Sequence, residues 1–148
     1  MTDKKIKRIV ICASAAFYEH ANQVAKQLKS KDFEAVVPEM ATKMAQTGNY
    51  NVDAVKTWYK NPDDFKRKAL LMKNHFSEVA EADAILVVND KKHDIDGYIG
   101  PNVLMEMGLA FYLDKPIFVL NTIDKNMPVY EEVRGMDSII LDGDISKL

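Results

Sequence analysis

One stretch, Asp83 to Asn121, constrains the fold more than any other: DAILVVNDKKHDIDGYIGPNVLMEMGLAFYLDKPIFVLN. Two short apolar runs, Ala84 to Val88 and Ile117 to Leu120, flank a segment of helical period from Asn102 to Leu113. A strand, a loop, a helix and a second strand in that order form a crossover unit, which joins parallel strands. Within the helix, Val103, Met107, Ala110 and Phe111 share a stripe that can pack on a sheet, and Gly108 is expected to allow close helix-to-strand approach. Between the first strand and the helix the chain turns polar and glycine-bearing: Asn89-Asp90, then Asp94, Asp96, Gly97, Gly100 and Pro101. Ligands of open α/β sheets bind outside the carboxyl ends of the strands, so this loop is the expected site.

The rest of the chain extends the same architecture. Lys7 to Ala13 is a near-continuous apolar run, as a central parallel strand buried on both faces requires. Ser14 is placed to cap a following helix that carries Phe17, Ala21, Val24, Ala25 and Leu28 on one side. Phe33 to Pro38 reads as a second strand, Asn61-Pro62-Asp63-Asp64 as a helix start, and Phe65, Ala69, Met72, Phe76 and Val79 as the core stripe of that helix. Arg67, Lys68 and Lys73 are assigned to its solvated faces. A short helix near Met127 to Val133 and a last strand from Ser138 to Leu141 complete the pattern. The prediction is a single α/β domain over residues 1–148, three-layered, with a five-stranded parallel sheet in the flavodoxin-like (Rossmann-like) order 2-1-3-4-5. Glu39 to Lys60 lacks strong periodicity and holds Tyr50, Trp58 and Tyr59, so it reads as a lid or a subunit contact, with Trp58 packing its own short helix on the body.

Composition narrows the function classes. A net charge of −2, with acids and bases interspersed, gives no footprint for nucleic acid. No apolar run approaches the length of a membrane helix, and the charged start runs straight into a strand. The single cysteine, Cys12, lies inside a strand as a buried thiol, which fits a reducing, cytoplasmic compartment. Lys92-His93-Asp94-Ile95-Asp96 lacks the spacing of a transition-metal site, no G-x-S-x-G elbow or glycine-rich phosphate loop occurs, and the alanine-rich turn after the first strand does not suit a flavin. Neither a metal nor a cofactor is expected.

Glu106 is the residue its helix does not explain. It lies off the apolar stripe, one turn from Asn102, where either a solvated glutamate or a carboxylate aimed into a pocket would fit. Asp90, Asp94 and Asp96 are the nearby acids, and their crowding would raise a carboxyl pKa. Ser14, Asn89 and Asn121 stand in a row at strand ends.

A strand ending in Asn-Asp, an Asp-Gly loop, a helix reading Asn102-x-x-x-Glu106-x-Gly108-x-Ala110 and a following Lys-Pro-Ile strand resemble the nucleoside 2-deoxyribosyltransferase-like family, which includes N-glycosidases that hydrolyse nucleoside 5′-monophosphates. The resemblance implies that Glu106 attacks the anomeric carbon and that a base acceptor or water resolves the glycosyl-enzyme intermediate. Asp90 or Asp96 would then exchange protons with the leaving base and the water, while Ser14, Phe17, Asn89, Gly100, Asn102 and Asn121 would bind the substrate. It also implies a nucleoside or nucleotide as the small-molecule partner, and a homodimer or larger assembly meeting through Tyr50 to Tyr59. The alternative is a non-catalytic nucleotide- or metabolite-binding module of the same fold.

Overall fold

The chain, described over residues 5–148 in a computed structural model, alternates strands and helices from end to end. Strand β1 (Arg8–Ala13) passes through a 3-10 turn into helix α1 (Tyr18–Ser30), and β2 (Glu34–Val36) leads to α2 (Glu39–Thr47) and the short α3 (Val52–Val55). Then come α4 (Phe65–Glu81), β3 (Ala84–Val88), α5 (Pro101–Tyr112), β4 (Ile117–Val119), α6 (Tyr130–Gly135) and β5 (Ile139–Ile140). All strand pairs are parallel, in the order β2-β1-β3-β4-β5. The predicted topology is therefore the one observed.

The apolar runs explain why β1 and β3 are central. Every residue of β3 is buried, and β1 is buried from Ile9 onward, because helices cover both faces of the sheet. On one face, Ala21, Val24, Ala25 and Leu28 of α1 pack on Ile9, Ile11 and Leu86. On the other, Val79 of α4 and Val103, Met107 and Ala110 of α5 pack on Val10, Cys12, Ile85 and Val87. Among the described residues no helix is long and apolar enough to cross a membrane.

Several local expectations need correction. Phe111 is half exposed, so the inner stripe of α5 runs through Val103, Glu106, Met107 and Ala110 instead. A side chain at Gly108 would meet nothing, so this glycine serves no close approach to a strand. On α4, Phe65 is 50% exposed and Ala69 is exposed; the positions that turn inward are His75 and Val79. Glu39 to Lys60 is also more regular than its sequence suggests. Its α2 buries Met40, Ala41 and Met44, and Asn22 of α1 ties it down by donating to the Ala41 carbonyl (2.9 Å) and the Tyr50 hydroxyl (3.2 Å). Arg67 holds the following segment by donating to the Val55 carbonyl and the Thr57 hydroxyl, each at 2.8 Å.

Candidate active site

A cavity of about 330 Å³ opens beside the carboxyl end of β1, large enough for a small ligand. The turn after β1 supplies Ser14 and Tyr18 on one side, α5 supplies Asn102 and Glu106, and α4 supplies Lys68, Met72 and His75. Trp58 and Tyr59 close the far wall, and Lys56, Lys92 and Tyr98 stand at the rim. Gly100 has a local reason. A Cβ there would come within 3.0 Å of the Ser14 hydroxyl, so glycine lets the start of α5 approach the β1 turn. Ser14 makes no side-chain cap to the helix that follows, which leaves its hydroxyl on the cavity wall rather than engaged with a backbone N–H.

Glu106 is only 9% exposed. Its Oε2 lies 3.5 Å from Nε2 of His75, close enough for an ion pair but not aligned as a hydrogen bond, and both atoms are buried without a hydrogen-bond partner. The other imidazole nitrogen, Nδ1, is 3.3 Å from a carboxylate oxygen of Glu78. Cys12 completes the cluster: its Sγ, a nitrogen of His75 and an oxygen of Glu106 all lie within 4.8 Å of one another.

Charge in this cluster follows from burial and neighbours. Burial, followed by the Glu106 charge, pushes the Cys12 thiol up to about 12, so it stays protonated at neutral pH. The same two causes push the Tyr18 phenol up to about 12. For His75, burial opposes the charged form, but the ties to Cys12, Glu106 and Glu78 outweigh it and raise the imidazole well above its usual range. An imidazolium therefore faces the Glu106 carboxylate. Burial and the neighbouring Lys92 lower the Lys56 ammonium, while burial and Lys56 lower that of Lys68. The Lys68 Nζ also sits 5.3 Å from the centroid of the Trp58 ring.

Of the residues expected at the site, Ser14, Gly100, Asn102 and Glu106 come together around this cavity, and the others do not line it. Phe17 is buried in the core under α1. Asn89 is fully buried and structural: its side chain accepts from the Asn121 N–H (2.8 Å) and donates to the carbonyls of Asn121 (3.0 Å) and Gly97 (3.3 Å). Asn121 returns a bond to the Asn89 carbonyl at 3.1 Å. Asp90 is held by Nδ1 of His20 at 2.8 Å and by the Asn121 amide at 3.3 Å. Asp96 is exposed, 4.0 Å from Lys91. Asp94 belongs to a tight turn: Lys92 and Ile95 exchange backbone bonds across His93 and Asp94, both at positive φ. None of the loop acids lines the cavity beside Glu106.

Several cavity residues, including Tyr18, Lys56, Lys68 and His75, are not among those expected at the site; Lys68, expected on a solvated face, forms cavity wall. His75 lies three and four residues from Met72 and Val79, a spacing that sets it on the inner face of α4.

A parallel sheet in this order, with helices on both faces and a cavity at the carboxyl ends of its strands, defines an α/β domain of the flavodoxin-like architecture. The chain is similar in fold to a 2-deoxyribosyltransferase from the psychrotolerant bacterium Bacillus psychrosaccharolyticus, with a TM-score of 0.56 and 13% identity over 95% of this chain and 94% of that one. It also matches a CMP N-glycosidase from Clostridium botulinum at a TM-score of 0.49 and 16% identity, over 92% of this chain and 89% of that one. No family model and no curated protein sequence matches the chain.

Proposed function

We propose that the protein cleaves, or transfers across, the N-glycosidic bond of a nucleoside or nucleotide, with Glu106 as nucleophile. The observation that carries this reading is a buried carboxyl group on a cavity at the strand ends, one oxygen without a hydrogen-bond partner and the His75 imidazole 3.5 Å from it. The motif around Glu106 and the fold shared with a 2-deoxyribosyltransferase point the same way.

In the first step a Glu106 oxygen bonds to the anomeric carbon as the carbon–nitrogen bond breaks, and the electron pair leaves with the base. The base takes a proton from a donor on the cavity wall. Water or a second base then attacks the glycosyl ester and returns the carboxylate, with net retention at the anomeric carbon. Ser14 and Asn102, which line the cavity, would hold sugar hydroxyls. Lys56, Lys68 and Lys92 around the mouth would neutralise a 5′-phosphate, which favours nucleoside monophosphates over free nucleosides. An assembly of two or more copies would cover Tyr59 and Phe65, which are 78% and 50% exposed.

The test is incubation with a panel of nucleosides and their 5′-monophosphates, read by free base. Release that disappears in Glu106→Gln supports the proposal. One observation favours a second reading, a non-catalytic binding module: neither Asp90 nor Asp96 lines the cavity to assist Glu106. If no base appears while a nucleotide still raises Tm, the binding module replaces the enzyme.

A further inference from the structure

Three chemically different side chains from three separate elements converge on one point: Cys12 of β1, His75 of α4 and Glu106 of α5. A thiol, an imidazole and a carboxylate together are the donor set of a borderline divalent ion of the zinc class, whereas magnesium and calcium take oxygen alone. A tetrahedral ion with bonds of about 2.0–2.3 Å holds its ligand atoms about 3.5 Å apart. His75 Nε2 and Glu106 Oε2 already stand 3.5 Å apart, and all three donor atoms lie within 4.8 Å of one another. Closing the set needs a shift of about 1 Å in the thiol or the longer side chains.

Two further features point to an ion. Nε2 of His75 and Oε2 of Glu106 are buried and face each other at 3.5 Å out of hydrogen-bond alignment, so an ion between them would satisfy both. The other imidazole nitrogen faces the Glu78 carboxylate at 3.3 Å, the carboxylate–histidine relay that orients metal-binding imidazoles.

We propose that Cys12, His75 and Glu106 form a three-ligand site for a zinc-class ion, its fourth position turned towards the 330 Å³ cavity. On binding, the Cys12 thiol and the His75 imidazolium each lose one proton to solvent, so the ion is held by a thiolate, a neutral imidazole and a carboxylate. The site shares Glu106 with the proposed nucleophile but does not rest on that role, since metal binding is read without turnover. If Glu106 is the nucleophile, a bound ion takes the attacking oxygen, and zinc becomes a reversible inhibitor.

The test is titration of the metal-free protein with Co²⁺, read by absorption. Because Cys12 is the only cysteine in the chain, a near-ultraviolet thiolate-to-cobalt band can arise only there. The expected result is a band saturating at one Co²⁺ per chain, displaced by Zn²⁺, absent in Cys12→Ser, with affinity reduced tenfold or more in His75→Ala and in Glu106→Gln. Circular dichroism of each variant separates loss of a ligand from loss of the fold. A folded wild type that shows no band, or a band that survives in Cys12→Ser, overturns the proposal and leaves His75 and Glu106 as a plain ion pair. Base release by the metal-free enzyme is measured separately, so either claim can fail alone.

Discussion

Glu106 and His75 form a charged pair that neither could sustain alone in the interior, since each lies under a tenth exposed. Glu106 was legible in the sequence because it broke its helix's pattern. His75 was not, because a histidine three and four residues from Met72 and Val79 reads as one more core position unless its partner, 31 residues further along, is known to face it. The pair makes stability depend on pH. His75 is faced by Glu78 on its own helix, by Glu106 on α5 and by the protonated Cys12 on β1, and its folded pKa lies above the unfolded value of about 6.5. Its contribution is therefore complete below about pH 6.5 and declines as pH climbs towards the folded value. Chemical denaturation should show the wild type's advantage over His75→Gln shrinking steadily from pH 6.5 to pH 9; an advantage that grows over that window would mean the imidazole is neutral in the fold. Lys68 gives a test of substrate class. Lys68→Met should weaken binding of a 5′-monophosphate roughly tenfold or more, the scale of one charge-assisted hydrogen bond, and change nucleoside binding much less. Equal losses for both ligands would remove the phosphate role.

At the scale of elements, the strands were readable because apolar runs of strand length leave little choice, while the site loop was not. Its acids look catalytic in one dimension. In three, His93 and Asp94 form a tight turn, Asp90 is bound by His20 and Asn121, and Asn89 locks the end of β3 to the end of β4. Turn chemistry and buried amide bonding consumed the residues that strand-end position alone made attractive. Gly97 belongs to the same lock, at φ 67, with the Asn89 amide 3.1 Å from where a Cβ would sit. Asn89→Ala would leave the Asn121 N–H and two carbonyls without that partner. It should cost about 1–3 kcal/mol in urea unfolding. A loss below half a kcal/mol would show that water replaces the amide. The helix over Glu39 to Thr47 was missed for a different reason: its buried Met40, Ala41 and Met44 do follow helical spacing, but in only nine residues flanked by polar sequence.

For the whole molecule, topology does the positioning. Parallel strands put their carboxyl ends on one edge, and α4 and α5, packed side by side on one face, meet β1 at a common point beside the cavity. Tyr59 and Phe65, 78% and 50% exposed with their rings meeting edge-on at 6.5 Å, stand beside the cavity. If copies meet there, light scattering gives a mass of two chains or more, and Tyr59→Lys shifts it towards one; a monomeric wild type at micromolar concentration contradicts the assembly. The most direct test of the central claim is intact-mass and peptide analysis after reaction with a slowly turned-over nucleoside 5′-monophosphate. The account predicts one sugar phosphate attached by an ester to Glu106 and none in Glu106→Gln. Base release with no adduct on Glu106, or release that persists in Glu106→Gln, would contradict it.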